Sequence, residues 1–364
     1  MPLDTGDPAP WFIARCTSNE RYHFNTVGGR YVVLCFLASA GQPYARAVMA
    51  AFLTHRERFD DDTACFFGVS ADPADERERR LREVMQGYRF FWDFDLRLSR
   101  LYRVHAEGEP YRQCTVVLDP TLRVAGVVPF DAALAPAQHV ASALAVLDEA
   151  RAVAAGIRSP QAAPVLLLPR VFEPDFCRHL IECYEAGDPR QSGFMREVDG
   201  KTVTAFDDTY KRRRDVMITE PTLRAACRAK LISRLKPEIY KAFQFTVTYA
   251  ERYNVARYDG EEGGFFRPHR DNTTRGTAHR RFAVTINLNT GEYEGGALRF
   301  PEYGQTTYEA PLGGAVVFSC SLLHEATPVT RGTRYAFLPF LYDDAAAAIR
   351  EQNLQFVRLE EGAA

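Results

Sequence analysis

Residues 313–342 read GGAVVFSCSLLHEATPVTRGTRYAFLPFLY. Two apolar runs inside it, GGAVVFS and TRYAFLPFLY, are short, rich in β-branched and aromatic residues, and divided by turn-forming residues, so both read as strands. The same pattern continues upstream through VTYAERYNVARY, FAVTINLN and GALRFP, with Gly-rich turns between them. Such a succession predicts an all-β sandwich or barrel with helices packed in front of it. Ahead of these strands, VLLLPRVFEPDFCRHLIECYEA predicts a strand followed by a helix capped near Asp175. The first run carries His324 to the mouth of such a barrel. Arg334 opens the second, which is expected to run antiparallel beside the His324 strand.

A second stretch, FFRPHRDNT at 265–273, sets His269 and Asp271 two residues apart. On an extended chain both side chains project from one face and could hold one metal ion. Eight histidines and 47 acidic residues make about one H-x-[DE] pattern expected by chance. The chain has three. His55 and Glu57 lie in AVMAAFLTHRERF, whose spacing predicts a helix with the two side chains diverging on a solvated surface. His105 and Glu107 lie in the loop RVHAEGEPY with no further ligand nearby. Only the pattern at His269 has company: His324 supplies a third ligand, and Arg334 offers a planar fork for a carboxylate. Two imidazoles and one carboxylate leave three of six metal positions open, as catalysis requires.

The N-terminal half is patterned differently. YVVLCFLA, an amphipathic stretch from Tyr44 to Phe59, ACFFGVSA, the charged stretch ADERERRLREVMQ, CTVVLD, RVAGVV and an Ala-rich helix from Ala135 to Ala155 alternate strands with helices. That order predicts an α/β sheet covered by helices. AAGIRSPQAAP at 154–164 is small, Pro-containing and aperiodic, which suits a linker. The expected organisation is therefore a domain at 1–155, a linker at 156–164 and a second domain at 165–364.

Composition bounds the function. A net charge of -2 supplies no overall basic field for nucleic acid. No apolar run approaches the roughly 20 residues that span a bilayer, and MPLDTGDPAP lacks the basic start and apolar core of a leader, so neither nucleic acid nor membrane is an expected partner and the expected location is cytoplasmic. The eight cysteines are scattered without a CxxC pair, as expected of buried reduced thiols. One local excess stands out: Arg267, Arg270, Arg275, Arg280 and Arg281 crowd a window where chance would place about two. With YKRRRD at 210–215, this reads either as a solvated loop face or as a device that recruits an anionic small molecule or peptide, with Arg270 as the substrate contact.

RYDGEEGGFFRPHRDN, FAVTINLNTGEYEGGALRFPEYG and the 313–342 stretch resemble the double-stranded β-helix, or jelly roll, of iron(II)- and 2-oxoglutarate-dependent dioxygenases, in the prolyl 4-hydroxylase-like branch. The resemblance implies His269, Asp271 and His324 as iron ligands at the catalytic centre and Arg334 as partner of the 2-oxoglutarate C5 carboxylate. Tyr258 matches the tyrosine that approaches the metal and lines the cosubstrate pocket. Asn287 falls where some members place a tyrosine against the same carboxylate. Also implied are Fe(II), 2-oxoglutarate and O2, ascorbate as a stimulant, and hydroxylation of an unactivated C–H bond with release of succinate and CO2. The substrate class so implied is peptidyl, prolyl residues included, or a small molecule.

GDPAPWF, YVVLCFLASAGQPYARAVMAAF and YRQCTVVLDPTLRVAGVV resemble the peroxiredoxin branch of the thioredoxin fold. Where that family carries Thr-Pro-x-Cys, this chain has Gln42, Pro43, Tyr44 and Ala45, so the usual nucleophile is missing. Arg112 matches the family's downstream arginine. The half is therefore expected to act as a scaffold for homodimerisation or substrate docking. Two rival functions differ in class: a thiol peroxidase using Cys16, Cys35 or Cys114, and a non-catalytic sensor of metal and 2-oxoglutarate.

Overall fold

The computed structural model describes residues 3–84, 86–155 and 162–358. Most of the expected linker, residues 156–161, lies outside the described residues. The chain divides into two compact units, residues up to 161 and residues from 162 onward, with 301–304 counted in the first.

The first unit is built on a seven-stranded sheet ordered Asn19–His23, Ile13–Cys16, Tyr88–Trp92, Ala64–Ser70, Tyr31–Ala38, Cys114–Leu118 and Val124–Pro129. Tyr31–Ala38, Ala64–Ser70 and Tyr88–Trp92 run parallel, and the other neighbours are antiparallel. Tyr31–Ala38 is apolar throughout because both of its faces are covered. Val32, Leu34 and Phe36 enter one core with Phe12, Phe24, Phe67 and Phe91. Val33, Cys35 and Leu37 enter another with Val48 and Phe52 of the Pro43–Leu53 helix and Val140 and Leu147 of the Pro136–Ala155 helix. This is the expected thioredoxin-like α/β fold.

Two helical expectations fail here. The charged stretch after Ala71 gives only the helix Pro73–Arg77, because Arg79 turns left-handed at φ 53 and Arg80 folds back onto Asp72, Asp75 and Glu78. Those ion pairs hold a turn that the helical charge spacing did not foretell. The helix expected to carry His55 and Glu57 ends at Leu53, and both residues sit in the turn and 3-10 segment beyond it.

The second unit is a jelly roll of two facing sheets. The larger runs Tyr249–Glu251, Phe340–Tyr342, Phe282–Asn287, Thr333–Phe337, Asn254–Asp259, Arg214–Met217 and Arg190–Gln191, with Ala315–Ser319 and Leu166–Leu168 attached beside Phe282–Asn287. The smaller is ordered Lys211–Arg212, Phe265–His269, His324–Ala326, Leu298–Arg299 and Thr307–Tyr308. Three helices, Pro174–Glu185, Pro221–Lys230 and Lys236–Phe243, cover the outer face of the larger sheet, where Leu180, Leu223 and Ile239 pack on Val255, Ile286 and Phe337. The first of these starts at a Glu173 cap, with Asp175 in its first turn rather than at the cap. The alternate residues of the same strands, Ala256 and Tyr258 among them, face the interior with Phe266 and Ala326.

The Arg334 strand is not beside the His324 strand. Thr333–Phe337 pairs with Asn254–Asp259 and Phe282–Asn287 in the larger sheet, whereas His324–Ala326 belongs to the smaller one. After Val329–Arg331 the chain turns at Gly332, whose φ of 71 and whose crowding against the Glu292 carbonyl no side chain would tolerate, and it crosses between sheets there.

Candidate active site

Antiparallel pairing of Phe265–His269 with His324–Ala326 sets His269 directly opposite His324, with ring centres 4.3 Å apart. Asp271 lies just past the end of the His269 strand. Its carboxylate still reaches both rings: Oδ1 is 3.5 Å from His269 Nε2 and Oδ2 is 3.3 Å from His324 Nε2. The stretch carrying Asp271 is stitched to the turn that precedes His324. Asp271 N–H donates to the Cys320 carbonyl at 2.9 Å, Arg270 donates to the Ser321 carbonyl, and Asn272 donates to the Ser321 hydroxyl at 2.7 Å.

The tautomers follow from the backbone. His269 Nδ1 lies 2.8 Å from the Arg267 carbonyl and His324 Nδ1 lies 3.0 Å from the Leu322 carbonyl. A carbonyl oxygen only accepts, so each Nδ1 donates its N–H and Nε2 is the nitrogen left facing the carboxylate. Burial pushes the His324 imidazole down to about 4, so it is neutral at pH 7. Three lone-pair donors thus converge with their ligand atoms within 4.8 Å of one another. Their shared need is a cation, and two nitrogens with one oxygen suit a first-row divalent metal such as iron.

Across the interior, Arg334 is 2% exposed, and among the described residues no carboxylate lies within 4 Å of it. Its Nη2 donates to Asn287 Oδ1 at 3.1 Å, its Nε has no partner, and its guanidinium lies 5.1 Å from the centre of the Tyr258 ring. Gly296 makes room for the stem, since a Cβ there would come within 2.8 Å of Arg334 Cδ. A buried cation with an orphaned donor fits an incoming carboxylate. Asn287, anchored by its own amide to the Ala310 carbonyl at 3.0 Å, orients that guanidinium. Tyr293 was not singled out from the sequence. It lies within the field of Arg334, with its buried phenol pushed up by desolvation.

The arginine-rich window is only partly a surface. Arg270 and Arg280 are buried, the first on the Ser321 carbonyl and the second on Glu251 at 2.8 Å. Arg275 stacks on Phe356, and Arg281 donates to the Ala278 carbonyl at 2.9 Å. Arg270 is brought beside His324 and clamps the turn that carries it.

In the first unit, Ala45 occupies the first turn of the Pro43–Leu53 helix and is fully buried, and Gln42 ahead of it accepts a hydrogen bond from Gln113 at 2.9 Å. Arg112 is exposed and pairs with Glu109. All eight cysteines are free thiols, and burial pushes Cys35 and Cys114 up to about 12. A thiol so shifted does not readily form the thiolate that reduces peroxide. No helix among the described residues is long and apolar enough to cross a membrane.

Two family models match the chain: the AhpC/TSA family over residues 5–127, and the 2OG-Fe(II) oxygenase superfamily over residues 253–342. A PKHD-type hydroxylase of Paracoccus denitrificans (strain Pd 1222) is 31% identical over 166 residues, 41% of this chain and 71% of the relative. Procollagen-lysine,2-oxoglutarate 5-dioxygenase 1 of Rattus norvegicus is 34% identical over 117 residues, 31% of this chain and 14% of that much longer protein. Among solved structures, a prolyl hydroxylase from Trichoplax adhaerens aligns at 17% identity over 57% of this chain and 96% of that chain, with a TM-score of 0.41.

Proposed function

The chain belongs to the 2OG-Fe(II) oxygenase superfamily, with an AhpC/TSA-type domain fused on its N-terminal side, and from that premise we propose that it hydroxylates an unactivated C–H bond of a peptidyl or small-molecule substrate. In this reading 2-oxoglutarate and O2 are consumed and succinate and CO2 released. One atom of O2 enters the new hydroxyl and the other the new carboxylate of succinate.

The observation that carries the reading is the convergence of two Nε2 lone pairs and one carboxylate in the same interior as a buried, uncompensated arginine. His269, Asp271 and His324 would hold Fe(II), which supplies the activation of O2 that no side chain can provide. The chain's own contributions are positional. The Arg267 and Leu322 carbonyls lock the ring tautomers, and the bonds from Asp271, Arg270 and Asn272 to residues 320–321 fix the spacing of the ligands. Arg334, oriented by Asn287, would hold the C5 carboxylate of 2-oxoglutarate in fork geometry. Tyr258 forms the floor beneath that guanidinium.

The deciding experiment supplies the full chain with Fe(II), 2-oxoglutarate and air and measures succinate. Succinate formed only with Fe(II), and lost in Asp271→Ala, supports the reading. Equal succinate from Asp271→Ala would sink it.

A further inference from the structure

The interior of the jelly roll holds more positive charge than the cosubstrate uses. Asp215 pairs with Ala256, so it shares the inward face, and Arg213 lies two residues before it on the same side. The Arg213 guanidinium lies 5.7 Å from the Tyr258 ring centre, donates to the Tyr258 hydroxyl at 3.3 Å, and grips Asp215 through two bonds of 2.8 Å. On the facing sheet Lys211 pairs with Phe266. Its Nζ sits 4.5 Å from the centre of the Phe266 ring, and that ring stacks on His269 at 3.5 Å. One aromatic ring therefore separates the ammonium from a triad imidazole.

Lys211 and Arg213 meet at Ser192. Its hydroxyl accepts from Lys211 Nζ and from Arg213 Nη2, each at 2.9 Å, and donates to Asp215 at 2.7 Å. The remaining Lys211 bond goes to the Gly193 carbonyl at 2.6 Å. Arg252 reaches the same Asp215 carboxylate at 3.2 Å. Arg213 and Arg252 both pair with Asp215, whereas Lys211 reaches it only through the Ser192 hydroxyl, and among the described residues no carboxylate lies within 4 Å of Lys211. Burial, and then the charge of Arg213, push the Lys211 ammonium well below its ordinary range. A buried amine so placed holds its proton more firmly once an anion joins it.

We propose that Lys211 and Arg213 form the substrate subsite and hold an anionic oxygen group, carboxylate or phosphate, carried by the molecule that is hydroxylated. The inference rests on the hydroxylase reading above and narrows its substrates to acids or to peptides with an acidic side chain near the reacting carbon. Phe266 packs against both Lys211 and His269, and Ala256 and Ala326 belong to the same buried cluster.

The test is anaerobic calorimetric titration of the Fe(II)-loaded full chain, saturated with 2-oxoglutarate, using N-acetylglutamate and its neutral counterpart N-acetylglutamine, with inorganic phosphate as a third probe. The acid should bind at least about tenfold more tightly than the amide, phosphate should compete with it, and Lys211→Met should erase the difference. Lys211→Gln is a second variant with the same expectation. 2-oxoglutarate itself should bind wild type and both variants equally, which also shows that they are folded. Equal affinity for acid and amide in the wild type, or a preference that survives both substitutions, overturns the proposal. So does a weakened 2-oxoglutarate affinity in the Lys211 variants, which would give the cluster to the cosubstrate. Failure of wild type to bind 2-oxoglutarate at all counts instead against the hydroxylase reading. The acid and amide comparison, repeated without cosubstrate, then still decides the subsite.

Discussion

Each triad histidine spends one nitrogen on a backbone carbonyl and offers the other to its neighbours, so removing any one ligand leaves a set too small to hold a metal in a fixed geometry. His269→Ala, Asp271→Ala and His324→Ala should each abolish Fe(II)-dependent succinate formation while far-UV circular dichroism stays that of wild type. Full turnover in any of the three contradicts the assignment. Arg334→Lys keeps the charge and loses the fork, so the affinity for 2-oxoglutarate should weaken by roughly tenfold or more, as for loss of a charged hydrogen bond of about 1.5–3 kcal/mol. Unchanged binding in equilibrium titration would place the C5 carboxylate elsewhere. The triad was legible because two of its members stand two residues apart and a third follows shortly after Ala315–Ser319, a strand of readable pattern. Lys211 and Arg213 were not, because YKRRRD reads as a run of like charge until strand pairing shows that alternate members point inward. Lys211 is buried, whereas Arg212 and Arg214 are exposed. Asn287 falls where some members of the resembled family place a tyrosine, and its side chain accepts a hydrogen bond from Arg334.

At the scale of elements, what was legible followed from length and composition. Phe282–Asn287, Ala315–Ser319 and Thr333–Phe337 announce themselves as apolar runs because the larger sheet is buried beneath helices. Leu298–Arg299, Thr307–Tyr308 and Lys211–Arg212 are two residues each, and ladder partners rather than propensity make them strands. Glu251 shows how elements are joined by charge. From Tyr249–Glu251 it meets His279 at 3.0 Å, Arg280 at 2.8 Å and Arg350 of the Asp344–Asn353 helix at 3.5 Å. Burial pushes its carboxyl up, yet the bond from His279 and the charge of Arg280 prevail and hold it at about 2 against an ordinary 4.5. A depressed acid stabilises the fold above its unfolded value and loses that contribution as pH falls through the folded one. The pair of values corresponds to stabilisation on the order of 3 kcal/mol. Glu251→Gln should therefore lower the denaturant midpoint above about pH 5, and the gap from wild type should close between about pH 4.5 and 2. A gap independent of pH in that window would show that Glu251 acts through packing alone.

At the scale of the whole molecule, two cores of different construction share one chain, and each unit buries its own apolar faces. The first has a peroxiredoxin-type fold but not the environment that makes a thiol reactive. A peroxide-reducing cysteine needs a helix N-terminus or a nearby cation to favour its thiolate. The position at the start of the Pro43–Leu53 helix is Ala45, its flanking Gln42 is bonded to Gln113, and Arg112 points to solvent with Glu109. Cys35 and Cys114 lie within strands with thiols pushed up to about 12, which leaves a thiolate fraction at neutral pH on the order of one in a hundred thousand. The full chain, with metal removed by chelation, should consequently consume hydrogen peroxide no faster than an ordinary protein thiol does. The measurement is peroxide loss over time, with Cys35→Ser and Cys114→Ser alongside. Rapid loss that either substitution abolishes would mean that burial in this fold does not silence the thiol, and the chain would carry two oxidative activities. Slow loss, unchanged by both substitutions, leaves the first unit with the fold of a peroxidase and none of its chemistry, and places the redox work of the molecule in the jelly roll.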